Sequence, residues 1–381
     1  MSISLSELLI LGQGSDLASE RGVSCAGDLP PASDPQLVER AIAARAALGS
    51  RALILGHHYQ RDEVIQFADI TGDSFKLAQS AAAQSDAEFI FFCGVHFMAE
   101  SADILTSAKQ RVILPDLAAG CSMADMATAN QVNQCWKELE RIGVASRTVP
   151  VTYMNSSAAI KSFTGEHGGT ICTSSNAQKS LEWAFSKAEK VLFLPDQHLG
   201  RNTAVLSLGL SIDDCVLWNP WKPMGGLTEE EIKGAKMILW RGHCSVHGRF
   251  TRETVDEVRS RIPGVQVIVH PECQHEVVLA ADVVGSTEKI IQTVTASAPG
   301  SKWAIGTELN LVSRLAQNNP DKEVVFLDKT VCYCSTMNRI DLPHLVWAME
   351  SIVAGHIVNE IKVDERVAKY SKLALEQMLA L

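Results

Sequence analysis

From residue 36 onward the chain alternates short apolar runs with amphipathic stretches, the rhythm of strands that feed helices in α/β folds. The stretch "PQLVERAIAARAALGS" has helical spacing, and the apolar run after it ends in a polar turn, "RALILGHHYQRDEV". "RTVPVTYMNSSAAIKS" and "KMILWRGHCSVHGRF" repeat that form, so that chemically loaded turns begin near residues 57, 153 and 243. Each pass supplies further strand ends. The first gives "FIFFCGVHFMAESADIL" and "RVILPDLAAGCSMADM", and the second gives "GGTICTSSNAQKS" and "KVLFLPDQHLGRNTA". The third gives "VQVIVHPECQHEVV", "ADVVGSTEKIIQ" and "KWAIGTELNLV". This repeat predicts three similar α/β domains with parallel sheets, over residues 36–126, 127–236 and 237–329. Residues 1–35 are weakly patterned and read as an extension, and the helical segment 330–381 is expected to pack back on the first domain. Ligands of open parallel sheets gather at the carboxyl ends of the strands. Three such domains around an axis would aim their turns at one central pocket.

Composition narrows the function classes. The 381 residues are 46% apolar and 20% charged, enough for several buried cores. The net charge of −10, from 34 basic and 44 acidic residues, argues against nucleic acid and anionic membrane as default partners. No apolar run approaches the ~20 residues that span a bilayer. The start, "MSISLSELLILGQGSD", has no basic leader and does not read as a signal or transit peptide, so a cytoplasmic location is expected.

Ten cysteines stand at 25, 93, 121, 135, 172, 215, 244, 273, 332 and 334. In a long chain of this kind they point to metal, catalysis or core rather than to a disulfide framework. Cys93 in "FIFFCGV" and Cys172 in "GTICTSS" read as strand residues in the core. Cys121, Cys244 and Cys334 instead fall in turns after strands, each ahead of an expected helix start whose N-terminus would favour a thiolate. His243 and His247 flank Cys244, while Ser335 and Thr336 are candidate caps beyond Cys334. Cys332 and Cys334 would face opposite sides of an extended segment, so one ligand is expected from that pair. Three thiolates suit a zinc site completed by His or water, or an iron–sulfur cluster with one iron free of protein ligand. A reversible thiol switch at Cys332 and Cys334 is open on the same ground.

In order, the motifs "GHHYQRDEV", "GDSFKLA", "GVHFMAESADIL", "PDLAAGCSMAD", "VTYMNSSAAIKS", "CTSSNA", "LPDQHLGRN", "GHCSVHGRF", "HPEC", "GSTEKII", "GTELNLVSRL" and "CSTM" resemble those of the quinolinate synthases, over roughly residues 36–340. The resemblance implies a triangular arrangement of three related α/β domains. It also implies a [4Fe–4S] cluster held by Cys121, Cys244 and Cys334, one from each domain, with one open iron. Many relatives have Cys-Pro-x-Met at the last ligand; this chain has "CSTM", and the spacing to Met337 selects Cys334. The implied reaction belongs to NAD biosynthesis and is a condensing transfer. Iminoaspartate joins dihydroxyacetone phosphate, and phosphate and two waters leave as the ring of quinolinate closes. The open iron would act as a Lewis acid in the dehydration. Because iminoaspartate is unstable in water, transient supply by an aspartate oxidase or dehydrogenase is expected.

By motif match the implied substrate contacts are His57, Ser74, Tyr153, Met154, Asn155, Ser174, His270, Pro271, Glu272 and Thr287. The residue types suit the chemistry. Ser74, Ser174 and Thr287 stand where helices should begin, where a hydroxyl and backbone N–H groups cradle an anion or simply cap the helix. Asn155 can donate to a carboxylate, and Tyr153 can donate or pass a proton. His57 and Tyr59 resemble an acid–base pair, with His57 the preferred proton carrier. Glu272 is the expected general base. Two other function classes fit the same cysteines: a hydro-lyase or reductive dehydroxylase on an open iron, and a structural or sensing metalloprotein. The turns "VTYMNSS" and "HPEC" favour the synthase through the resemblance.

Overall fold

Runs such as Leu53–Leu55 and Phe89–Cys93 are apolar at every position, as strands covered by helices on both faces must be. The computed structural model describes residues 29–83, 86–330 and 333–381, and in it these runs pair into three sheets. The first contains β1 (Ala52–His57), β2 (Ile70–Gly72), β3 (Phe89–Cys93) and β4 (Arg111–Ile113). The second contains β5 (Thr148–Tyr153), β6 (Thr170–Cys172), β7 (Lys190–Leu194), β8 (Cys215–Trp218) and β9 (Met237–Trp240). The third contains β10 (Gln266–Val269), β11 (Val283–Val284), β12 (Lys302–Gly306) and β13 (Glu323–Phe326), and a short β14 (Glu360–Ile361) lies against β4.

One parallel plan is used three times: β2-β1-β3-β4, β6-β5-β7-β9 and β11-β10-β12-β13. Each order reads second, first, third, fourth, so the winding reverses between the first and third strands, where such sheets bind ligands. The additions are β8, parallel beyond β9, and β14, antiparallel on β4. Fully buried side chains fill each core, including Leu192, Ile238 and Trp240 with Leu139 and Ile160 in the second, and Val267, Val269 and Ala304 with Val255 and Val277 in the third. Each Val, Leu or Ile among them contributes about 1.5–3 kcal/mol by its removal from water. Among the described residues no helix is long and apolar enough to cross a membrane.

The fold is thus α/β with three related parallel sheets, but the third repeat has a different phase from that expected. The turn near 243 follows β9, the fourth strand of the second sheet, and the counterpart of the turns at 57 and 153 lies at His270, after β10. A boundary at 236/237 would therefore cut β9 from its sheet. The tail also divides. Helix Leu342–Val353 packs on helix Leu37–Leu48, whereas helix Glu365–Leu379 packs on Ala158–Glu166 beside the second sheet rather than on the first domain. The chain accordingly forms two compact units, one holding the first sheet with Cys334–Val363 and the other the second and third sheets with Asp364–Leu381. Most of the 1–35 extension, and Cys332, lie outside the described residues.

The seat of the last helix is set by Gly165. A Cβ there would overlap the carbonyl oxygen of Tyr370, and Ser371 Oγ donates to Ala158 O nearby at 2.9 Å. Gly165→Ala is expected to destabilise the unit by about 1–3 kcal/mol through overpacking, seen as a lower midpoint in thermal or urea unfolding.

Candidate active site and cysteine turns

All three sheets carry the same chemical sequence at their carboxyl ends. The first strands deliver His57 and Tyr153 as last residues and His270 one residue beyond, where each main chain remains tied to its neighbour. His58 N donates to Gly72 O at 3.1 Å, Met154 N to Cys172 O at 2.7 Å, and His270 N to Gly306 O at 3.1 Å. In the first unit His57 Nδ1 accepts the Tyr59 N–H at 3.1 Å, which places the proton of a neutral ring on Nε2. The His57 and Tyr59 rings meet edge to face, 4.8 Å between centroids.

The second strands lead to Ser74, Ser174 and Thr287. The residue before Ser74 and the one before Thr287 cap the helices there, whereas Ser174 precedes the helix Ala177–Lys187, whose cap position Asn176 makes no side-chain cap bond. Asp73 Oδ1 accepts Lys76 N at 2.9 Å, Thr173 Oγ1 accepts Ser175 N at 3.2 Å, and Ser286 Oγ accepts Lys289 N at 3.3 Å. The reading of the three candidate hydroxyls as caps is thereby removed. Ser174 and Pro271 line one cavity of about 220 Å³ with Asn202, Thr203 and Gly285.

The fourth strands lead to the three cysteines, whose turns are copies of one another. Each is Cys-Ser, followed by a 3-10 turn: Ala124–Met126, His247–Arg249 and Met337–Arg339. In each, a backbone N–H returns to the cysteine carbonyl: Asp125 to Cys121 at 3.1 Å, Gly248 to Cys244 at 2.8 Å, Asn338 to Cys334 at 3.0 Å. Seven residues beyond each cysteine stands the cap of the next helix, Thr128, Thr251 or Asp341. Those helices join the core of the second sheet, the core of the third, and helix Leu37–Leu48 of the first unit. Every cysteine thus marks the point where the chain leaves one sheet for the next. The expected helix starts right after the cysteines are 3-10 turns instead, and Thr336 Oγ1 lies 3.4 Å from the Cys334 sulfur rather than capping.

Burial pushes the Cys121 thiol up to about 12, with Cys334 and Asp125 adding to the effect, while the N–H groups of Ala124 and Met123 favour the thiolate. Cys93 and Cys172 are buried strand residues, as expected.

The densest chemistry surrounds Glu272, in the second unit. Its Oε2 lies 2.9 Å from His247 Nδ1, and Oε1 lies 3.8 Å from His270 Nδ1. The Tyr153 side chain also bonds the carboxylate. Burial alone would raise this carboxyl, but the neighbouring imidazoles and the hydrogen bonds from His247 and Tyr153 bring it down to about 2. His270 is held neutral, at about 3, chiefly by burial. Asp196, in the turn after β7, goes the other way, raised by burial and by the charge of Glu272. Its Oδ1 accepts His198 N and Leu199 N at 2.7 Å, and it also accepts the N–H of Cys244. Cys244, His247 and Glu272 offer donor atoms all within 4.8 Å of one another, close enough to share a metal ion.

A profile of the family described as "Quinolinate synthetase A protein" matches residues 40–380. The chain is 68% identical to a protein of Nocardioides sp. named "Quinolinate synthase", over 100% of this chain and 98% of that protein. It is 69% identical to one of the same name from Streptomyces coelicolor (98% and 95% covered) and 52% identical to one from Bacillus subtilis (93% and 97%). The chain belongs to the quinolinate synthase family.

For a quinolinate synthase, sequence reasoning left three side chains near Glu272 without a task, although their motifs were in view. His247 bonds Glu272, and Thr307 Oγ1 lies 3.2 Å from His247 Nε2. Asn202, from "LGRN", donates to Pro271 O at 2.8 Å and Cys273 O at 2.9 Å, and its Oδ1 meets His275 Nδ1 at 2.8 Å. It clamps the turn that carries Glu272 from both sides. Asn202→Ala is expected to lower kcat about 10- to 100-fold by loosening that turn, with iron content unchanged, as anoxic purification and assay would read.

Proposed function

We propose that this chain condenses iminoaspartate with dihydroxyacetone phosphate to form quinolinate, releasing phosphate and two waters, in NAD biosynthesis. The observation that carries the reading is the threefold Cys-Ser turn, one at each passage between sheets. Equivalent turns give equivalent donors, and three soft thiolates suit an iron–sulfur cluster. Cys121, Cys244 and Cys334 would hold a [4Fe–4S] cluster with one iron left to the substrate. When bound, that iron supplies a Lewis acid for the loss of hydroxyl. A Cys244–His247–Glu272 zinc site fits less well, since both ring nitrogens of His247 already meet Glu272 and Thr307.

The remaining chemistry falls to side chains of the strand ends. Glu272, an anion at neutral pH, takes protons from the carbon framework as the ring becomes aromatic. Tyr153, bonded to it, passes or donates a proton, and His57 with Tyr59 serves as a further acid–base pair. Asn155 and His270 orient a carboxylate, the Met154 and Pro271 walls exclude water, and Ser74, Ser174 and Thr287 hold anionic oxygens with the helix starts beside them. Iminoaspartate, short-lived in water, is supplied by an aspartate oxidase or dehydrogenase in transient contact, in the cytoplasm.

The deciding experiment is purification without oxygen, iron and sulfide counting, and assay for quinolinate from the two substrates. Four irons and four sulfides per chain with quinolinate formed is the expected result. Colourless, air-stable protein containing zinc would end the proposal, and a full cluster without quinolinate would leave the hydro-lyase class in its place.

A further inference from the structure

Glu272 is held by more than its own turn. His247, 2% exposed, lies three residues beyond Cys244, with Nδ1 at 2.9 Å from Glu272 Oε2 and Nε2 at 3.2 Å from Thr307 Oγ1. Thr307 is fully buried and follows β12 directly. On the flat side of the ring, His270 stacks against His247 with 4.5 Å between centroids and 21° between planes. The hydrogens can be assigned from these contacts. An ionised carboxylate only accepts, so Nδ1 of His247 carries a proton, and when the ring is neutral Nε2 is left to accept the Thr307 hydroxyl. The pattern is that of a hydroxyl fixing an imidazole tautomer so that its far side presents one N–H in a set direction.

We propose that His247 and Thr307 are positioning residues for the reaction: Thr307 fixes the His247 tautomer, and the His247 Nδ1–H fixes the orientation of the Glu272 carboxylate. The inference rests on Glu272 as the base of the proposed function. Neither residue needs to touch substrate. With the carboxylate held by one oxygen, the arc through which it can swing is small, and proton transfer does not wait for it to find its direction. The elements around it contribute Tyr153 from β5, His270 from the turn after β10 and Asp196 from the turn after β7, so the carboxylate is confined on several sides while its tether is His247.

The test compares amides of different reach. In His247→Asn the amide nitrogen occupies the place of Nδ1 and keeps the bond to Glu272; in His247→Gln the amide reaches the place of Nε2 and loses it. Holoenzyme prepared without oxygen is assayed for kcat, for KM of both substrates and for iron per chain. The expected order is wild type, then Asn within about fivefold in kcat, then Gln lower by about 30-fold or more, with KM little changed and iron retained. A space-filling role predicts the opposite order, because glutamine is nearer to histidine in volume. Thr307→Val is expected to cost about five- to tenfold in kcat and Thr307→Ser to restore most of it. Should the His247 variants lose iron, the Thr307 pair, outside the cysteine turn, decides alone. Equal kcat for Asn and Gln beside an inert Glu272→Gln overturns the inference and spares the base assignment, as does a Thr307→Val enzyme of full activity. A Glu272→Gln enzyme of near-normal rate overturns both.

Discussion

Serine at Cys121, Cys244 or Cys334 is expected to strip the protein of its full iron and sulfide complement and to take quinolinate formation below detection, a fall of at least about 10³-fold. The three substitutions should be equivalent, because the three turns are: each offers the same Cys-Ser start, the same return hydrogen bond and the same cap seven residues on. A serine hydroxyl is isosteric but stays protonated where a thiol can ionise, so the loss is in ligand chemistry rather than in fold. Far-ultraviolet circular dichroism should therefore match the wild type. Cys93→Ala is the control: that residue is buried in β3 and should keep its iron at some cost in stability. Cys332→Ser should also keep it. The pH dependence has a definite sign. Burial raises the free Cys121 thiol to about 12, so a proton must leave when metal binds. Reconstitution of cluster-free protein should become faster and more complete from about pH 7 to about pH 9. Retention of a full cluster by any one of the three serine variants would show that the turns are not equivalent and that another donor serves.

The class of the fold was readable because parallel strands covered on both faces must be apolar throughout, and runs such as "FIFFC" and "KVLFL" admit few other readings. The phase of the third repeat was not. β9 and β10 are both four-residue strands followed by a histidine-bearing turn, and the added strand β8 shifts the count between them. Periodicity measures neither sheet order nor insertion. Two other signals were present in the letters and would have fixed the phase: the Cys-Ser pair and the capping residue seven positions later, at each of the three turns. The docking of the last helix was beyond pattern analysis for a different reason. It depends on Gly165 allowing a backbone approach to Tyr370, and a glycine in a helix reads only as a weak helix former until its neighbour is known. The candidate site divides along the same line. The turns that carry His57, Tyr153 and Glu272 were legible because a loaded turn after an apolar run is a local pattern, while the choice of those residues within them came from the family resemblance. His247, Asn202 and Thr307 act on a turn that lies 25 to 71 residues away in the chain, and no local pattern encodes such contacts.

Glu272→Gln is expected to lower kcat about 10²- to 10⁴-fold with iron content unchanged, since it removes the proton acceptor and keeps the shape. Its second consequence is on the pH dependence of stability. Glu272 and Asp196 are buried carboxyls in electrostatic contact, and the pair divides the work of ionisation. The hydrogen bonds and imidazoles around Glu272 bring it down to about 2, whereas burial and the charge of Glu272 push Asp196 well up. The signs follow from linkage. The contribution of Glu272 is present above the ordinary carboxyl range and is lost only as pH falls through about 2. Asp196 keeps its proton in the folded state while the unfolded chain has released it, so stability declines as pH climbs from the ordinary value of 3.8 through the raised one. A neutral glutamine at 272 removes the repelling charge, brings Asp196 down and flattens that decline. Cluster-free Glu272→Gln should therefore lose the stabilisation that the depressed Glu272 carboxyl contributes near neutral pH, yet show the smaller fall in melting temperature from about pH 5 to about pH 8. An inert variant with an unchanged pH slope would mean that Asp196 and Glu272 do not share their charge.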